Sequence, residues 1–280
     1  MGEQKKSAPP TSHPQPQTLT MARERTFRSE AIVLKRTDFG EADRLLTLYT
    51  RDFGKLQAIA KGARKPQSRK TGHVELFMRT QFLFAKGHDL DIITQAEMVE
   101  SYQALREDLV RTTYAAYVVE LLDRLTVEEG QHLSLYNLLA DTLARLAAAD
   151  DVRLVTRYYE LRLLGQSGFQ PQLFNCLSCD EPIQEQDQYF SDELGGLLCP
   201  NCRAADRRAR PISAVAVKVL RYLQSRPWET VQSLQLKRPL HHELEAIMHG
   251  YITHILERDL KSVDFLHRLR REAALLVDRD

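Results

Sequence analysis

Hydrophobic and polar positions change rhythm once along this chain, near residue 101. Before that point the apolar residues come in short β-type runs, at 31–34, 45–50, 55–60, 75–84 and 90–96. The run at 55–60 alternates with period two, as a half-buried strand does. Turn signals separate the runs: Phe39-Gly40, Phe53-Gly54, the stretch after Gly62, and Lys86-Gly87-His88-Asp89. Five short strands with one longer connection between the third and fourth predict a small closed barrel, because closure removes exposed sheet edges. An OB-type barrel is the first choice and an SH3-like barrel the alternative. After Ser101 the period becomes helical. Tyr114, Tyr117, Val118, Leu121, Leu122 and Leu125 form one apolar stripe, and Leu135, Leu138, Leu139, Leu143 and Leu146 form another. A third helix is expected over 152–164, ended by Gly165 or Gly168 with Pro171 beyond. Helical stripes return at Ile212–Leu223 and Leu240–Ile255. They predict a helical domain of five or six helices.

The expected class is therefore an α+β multidomain chain. Residues 1–25 read as a Pro/Gln-rich tail with almost nothing to bury. Residues 26–102 read as the barrel and 103–280 as the helical domain, which is interrupted at 176–202. Composition leaves this picture unchanged. The chain has 280 residues, 43% of them hydrophobic and 28% charged, with a net charge of +1. Attraction to nucleic acid would have to come from local clustering, not from the total. No apolar run approaches the ~20 residues that cross a bilayer, and the first 20 residues lack the apolar core of a secretory signal. The reading is of a cytoplasmic protein, in a compartment where thiols stay reduced.

The four cysteines are the clearest chemistry. Cys176 and Cys179 form one Cys-x-x-Cys pair, and Cys199 and Cys202 form another 19 residues further on. This spacing matches a zinc site. Four thiolates complete a tetrahedral shell and leave no position for water, so the expected Zn2+, one per chain, is structural. Tyr189-Phe190 and Gly195-Gly196-Leu197-Leu198 read as a hairpin that returns the second pair to the first.

The second signal is charge. From Arg51 to His88 there are nine Lys and Arg against two acids, a local +7. Lys61, Arg64, Lys65, Arg69 and Lys70 crowd into ten residues of the loop between the third and fourth strands. Cationic loops on OB barrels follow a phosphodiester backbone. Phe77, Phe82 and Phe84 lie close in sequence, some expected in the core and some available to stack on bases. No phosphate loop or dinucleotide fingerprint is present. His242-Glu243 begins a zinc-protease pattern, but Ala246 stands where its second histidine belongs. His241, His249, His254 and His267 are expected on helix surfaces. No catalytic constellation is found.

In order along the chain, four stretches resemble the RecO family of bacterial recombination mediators. They are Ala31-Ile32-Val33-Leu34 with Gly40-Glu41-Ala42-Asp43-Arg44-Leu45; Thr50-Arg51-Asp52-Phe53-Gly54-Lys55 with Ala60-Lys61-Gly62-Ala63-Arg64-Lys65; Tyr117-Val118-Val119-Glu120-Leu121-Leu122-Asp123; and Leu161-Arg162-Leu163-Leu164, Gly168-Phe169-Gln170-Pro171 and the cysteines. The similarity spans about residues 26–225. It implies an OB domain, a helical domain with a zinc-binding insertion, and no enzymatic activity. It implies binding of single- and double-stranded DNA, annealing, and loading of RecA onto DNA coated with single-strand-binding protein. The implied partners are RecR, in some species RecF, and the acidic C-terminal tail of single-strand-binding protein, expected on the helical domain. Arg207, Arg208 and Arg221 are cations in that half of the chain. The implied location is the bacterial nucleoid. Lys61, Arg64 and Lys65 fall in the matching cationic segment. Arg69 and Lys70 continue it, Lys35 and Arg36 follow Leu34, and Arg44 lies within the first stretch. These eight are the expected DNA contacts. The tail before Thr26 departs from the family's short start, so Met21 is an alternative initiation site. Two other readings compete: a zinc-ribbon and OB factor of transcription or translation, and a metalloenzyme.

Overall fold

The computed structural model describes residues 25–68, 70–126 and 132–256. The expectations for the N-terminal tail, Arg69 and His267 lie outside them. The first body is built from β1 (Thr26–Phe39), β2 (Asp43–Thr50), β3 (Gly54–Ala60), β4 (Arg79–Ala85) and β5 (Asp91–Glu100). They close in the order β1-β2-β3-β5-β4, with β4 returning to β1. β3 and β5 pair in parallel through Ala58 and Asp91 and through Ile59 and Ile92, and the other pairs are antiparallel. This is OB-type connectivity, so the SH3-like alternative falls away.

β1 explains its own unbroken apolar run. Ala31 and Val33 face the barrel core with Leu46, Leu48, Ala58, Phe82, Phe84 and Ile93. Ile32 and Leu34 face the other way and join the core shared with the helices. A strand buried on both faces shows no alternation. A register shift between Val33 and Lys35 lets β1 serve β4 with its first half and β2 with the whole of its second. At the β2–β3 turn, Phe53 N–H donates to the Thr50 hydroxyl at 2.9 Å, and that hydroxyl donates to the Gly54 carbonyl at 2.9 Å. Gly54 has φ +69, where a side chain would strain the turn.

Two strand expectations change. β4 begins at Arg79, not at residue 75. Phe77 takes a positive φ of 69, which ends any extended run, and its N–H donates to the Val33 carbonyl at 3.0 Å. β1 starts earlier and runs longer than its apolar centre, because Arg28, Ser29 and Glu30 pair with β4 despite their polarity.

The second body contains α1 (Ala104–Glu107), α2 (Leu109–Leu125), α3 (Leu133–Ala148), α4 (Val152–Gln166), α5 (Ala214–Ser225), α6 (Trp228–Val231) and α7 (Arg238–Leu256). Side-chain caps start three of them: Asp108 accepts from Arg111 N–H, Asp151 from Arg153 and Leu154 N–H, and Ser213 from Ala216 N–H. α4 is central, packed by α2, α3, α5 and α7. Its polar residues pair where they are buried: the Glu160 carboxylate meets Arg157 at 2.7 Å and the Tyr117 hydroxyl at 2.5 Å. Burial pushes the Glu160 carboxyl up to about 7, against the pull of Arg157 and Tyr117.

Between α4 and α5 lies a small sheet of β6 (Gln188–Ser191), β7 (Gly196–Leu198) and β8 (Arg210–Ile212), in the order β7-β6-β8. The hairpin is the one expected. β8 is not: Ile212 closes a strand, and α5 begins only after the Ser213 cap. The histidine expectation also changes. His241 is buried, with Nε2 at 3.0 Å from Asp151, because α7 lays its first turn over the start of α4.

The two bodies are tied together by polar clamps. Lys55 donates to the carbonyls of Asp123 and Thr126 at 2.8 Å each, at the C-terminal end of α2. The Tyr136 hydroxyl donates to Glu30 at 2.5 Å, and Arg79 donates to the same carboxylate oxygen at 2.5 Å.

Candidate metal centre and nucleic-acid interface

The first cysteine pair sits on a tight loop. Asp180 N–H donates to the Cys176 carbonyl at 2.9 Å, and Cys176 N–H donates to Glu181 at 2.9 Å. Asp180 turns the chain with φ 60. The second pair follows β7: Cys202 N–H donates to the Cys199 carbonyl at 2.9 Å, which opens a short 3-10 turn, Pro200–Ala205. β7 lies against the first loop through Leu177 N–H to the Leu197 carbonyl at 2.9 Å. All four sulfurs then lie within 4.8 Å of one another, and those of Cys179 and Cys199 are 4.0 Å apart. Metal–sulfur bonds of ~2.3 Å in a tetrahedron need sulfurs about 3.8 Å apart, so the set fits such an ion. Among the described residues this is the one group of three or more potential ligands that converges in this way.

The electrostatics point the same way. Burial opposes ionisation of Cys176, yet backbone N–H groups of Cys199, Cys179 and Ser178 outweigh it and bring the thiol down to about 6. Ser178 favours the Cys202 thiolate, but the neighbouring sulfurs of Cys199, Cys179 and Cys176 push that thiol up to about 12. One thiolate is welcomed and the last is resisted. A dication removes that conflict, since metal-bound thiols are deprotonated outright.

The expected DNA contacts divide into two groups. Lys35 pairs with Asp123, whose other oxygen meets Lys55 at 3.3 Å. Burial would raise the Asp123 carboxyl, but the two lysines hold it below the usual carboxylate range. Arg36 pairs with Glu75. Arg44 meets Glu75 at 2.9 Å and Asp38 at 3.8 Å, and Arg64 meets Asp38 at 3.4 Å. Lys70 donates to the Ile93 carbonyl at 3.1 Å, and burial lowers its pKa. Lys61 and Lys65 stay exposed and have no acidic partner among the described residues. They flank a shallow surface hollow formed with Gly62, Pro66, Gln67 and Ser68.

Several expectations about side chains fail for stated reasons. Phe77, Phe82 and Phe84 are all buried, so none is free to stack on a base. Phe82 and Phe84 fill the barrel, and Phe77 packs against the helices. The cationic connection is not an open loop either. Ala63 and Val74 reach into the barrel core, and Thr71 donates to the Ala63 carbonyl at 2.7 Å. Arg221 spends its guanidinium on the Leu173 carbonyl at 2.7 Å and lies over Phe174 at 5.1 Å, bracing the cysteine segment. Arg207 and Arg208 are exposed. The sequence reading missed Asp38, Glu75 and Asp123 as partners. Only Glu75 fell inside the cationic window, and all three act across chain separations that composition does not register.

An OB-type barrel fused to a helical body with a four-thiol knuckle defines a multidomain protein of the OB class with a metal-ready insertion. Family models agree: Recombination protein O N terminal matches residues 21–102, and Recombination protein O C terminal matches residues 106–264. The chain is 43% identical over 249 residues to a DNA repair protein RecO of Roseiflexus sp., covering 89% of this chain and 88% of that one. It is 39% identical over 243 residues to a DNA repair protein RecO of Desulforamulus reducens, covering 87% and 94%. It is 36% identical over 251 residues to a DNA repair protein RecO of Dehalococcoides mccartyi, covering 90% and 99%. The chain belongs to the RecO family of DNA repair proteins. No helix among the described residues is long and apolar enough to cross a membrane.

Proposed function

We propose that this chain is a non-enzymatic recombination mediator acting at the bacterial nucleoid. It binds single- and double-stranded DNA, anneals complementary strands, and helps load RecA onto DNA coated with single-strand-binding protein. RecR and, where the species uses it, RecF act with it, and the helical body holds the acidic tail of single-strand-binding protein. The observation that carries this reading is the pair Lys61 and Lys65, exposed without acidic partners on an OB-type barrel in a RecO-family chain. Such side chains neutralise phosphates without reading bases. Arg36, Arg44, Arg64, Lys70 and Lys35 extend the same path, each already holding a protein partner, and Arg69 continues the run in the sequence.

Cys176, Cys179, Cys199 and Cys202 would hold one structural zinc ion. That ion would supply a fixed cross-link between the two knuckles and take no part in chemistry on DNA. The reading is tested by annealing of complementary strands coated with cognate single-strand-binding protein. Faster pairing with this protein, without ATP or any change to the strands, supports a mediator. Binding to folded RNA or promoter duplex with no annealing would favour the transcription or translation factor instead.

A further inference from the structure

The described end of the barrel around β1, β2 and the connection to β4 carries an alternating chain of charges. Arg36 and Arg44 each take one oxygen of Glu75, and Arg44 and Arg64 each take one oxygen of Asp38. Three arginines are thus bridged by two carboxylates. The arrangement comes from the fold. Asp38 and Arg44 face each other in the β1–β2 register, and Arg64 N–H is fixed to the Ala42 carbonyl at 2.9 Å. Glu75 sits just before the turn that ends at Phe77. The cluster is open to water at its edges and partly buried at its centre: side-chain exposure is 33% for Arg36, 29% for Glu75, 37% for Arg64 and 62% for Asp38, but 16% for Arg44 between them.

A carboxylate bridging two guanidiniums offers what a phosphodiester offers, two equivalent oxygens sharing one negative charge. The outer pairs, Arg36 with Glu75 and Arg64 with Asp38, are exposed enough to contribute little to folding, so stability alone does not explain why both are added to the half-buried Arg44. We propose that Glu75 and Asp38 occupy phosphate positions of the DNA path in the free protein, and that DNA backbone must displace them to engage Arg36, Arg44 and Arg64. This rests on the DNA-binding reading above and adds a built-in competitor to it. The resting protein then holds DNA through Lys61 and Lys65 and takes up the arginines only by exchange. A carboxylate that returns when phosphate leaves also favours release of a strand, which annealing requires.

The test is equilibrium binding of a fluorescent single strand to the full chain over a range of salt, for wild type, Glu75→Gln and Asp38→Asn. Glu97→Gln, an exposed acid on β5 outside the cluster, corrects for the loss of one negative charge. Each arginine released to phosphate adds a slope of ~0.7 in log K against log[salt], about fivefold tighter binding at ~0.1 M than at ~1 M. Glu75→Gln is expected to bind about fivefold or more tighter than Glu97→Gln, with a steeper slope. Asp38→Asn, at the most exposed position, is expected to shift in the same direction by less. Binding equal to that of Glu97→Gln, or weaker, with an unchanged melting temperature overturns the proposal. In that case the carboxylates only position the arginines, or the arginines lie off the path. If Lys61→Ala and Lys65→Ala also leave wild-type binding unchanged, the DNA path itself is wrong. If those two weaken binding and Glu75→Gln does not strengthen it, only the competitor is wrong.

Discussion

At the cysteine knuckle four like groups converge, and the neighbouring sulfurs oppose ionisation of Cys202. At the cationic end of the barrel, carboxylates from three separate segments come to meet the cations: Asp123 for Lys35 and Lys55, Glu75 for Arg36 and Arg44, Asp38 for Arg44 and Arg64. The difference shows where an external ligand would fit. Four thiols gathered within 4.8 Å of one another form a set that can take up an ion from outside. A charge cluster that supplies its own counter-ions requires nothing. On the barrel only Lys61 and Lys65, among the described cations expected to touch DNA, are left without a protein partner. The local +7 read along the sequence therefore overstates the charge free to meet a phosphate backbone.

The largest effect expected from breaking one side of this comparison is at the knuckle. Metal binding and folding are coupled at four-thiolate sites, at apparent free energies on the order of 10 kcal/mol in small zinc domains. Cys199→Ser should lower bound metal from about one ion per chain towards none. It should also expose the segment from Leu173 to Ala209 to proteolysis while the barrel keeps its DNA binding. Metal analysis and limited digestion check both halves.

The next effect concerns a buried carboxyl with a partner on each side. Glu160 is fully buried under the helices, with its carboxyl raised from 4.5 to about 7. The folded protein thus keeps a proton that the unfolded chain has released between those two values. The stability this group gives is complete below pH 4.5 and is lost as pH rises through 7, a fall of about 3 kcal/mol. Chemical denaturation at several pH values should show wild type losing stability relative to Glu160→Gln as pH rises from 4.5 through 7, by about 3 kcal/mol. A constant difference would mean that Arg157 keeps Glu160 ionised throughout.

Lys55 and Lys65 sharpen the comparison directly, because they belong to the same run of positive charge. Lys55→Met removes donors from two carbonyls and leaves Asp123 with Lys35 alone. It should cost about 1–3 kcal/mol and leave the salt dependence of DNA binding unchanged. Lys65→Ala should do the reverse: stability within about 0.5 kcal/mol of wild type, and a salt slope shallower by about 0.7. Thermal melts beside binding isotherms check the crossed pattern.

The knuckle was legible in the sequence because its ligands are fixed by short spacings, and the hairpin between them left its own signature in Tyr189-Phe190 and Gly195-Gly196. The helical stripes were legible for the same reason, since a period of 3.6 repeats within each helix. The ends of β1 and β4 were not, because Arg28 to Glu30 are held in a strand by partners about fifty residues away, and Phe77 leaves the extended region in spite of its apolar neighbours. His241 reads as a surface residue because Asp151, with which it pairs, lies ninety positions earlier. The cationic surface was half legible. The sequence shows where cations are dense, but whether each is spent on Glu75, Asp38, Asp123 or a backbone carbonyl depends on how the chain closes.

The account turns on Lys61 and Lys65 as the free cations of the path. The most direct measurement is the salt dependence of single-strand binding by the double variant Lys61→Ala, Lys65→Ala. With each lysine neutralising one phosphate, the slope should flatten by about 1.4, equally for different base sequences, with the melting temperature unchanged. An unchanged slope in the folded double variant would contradict the account and place the DNA away from this face of the barrel.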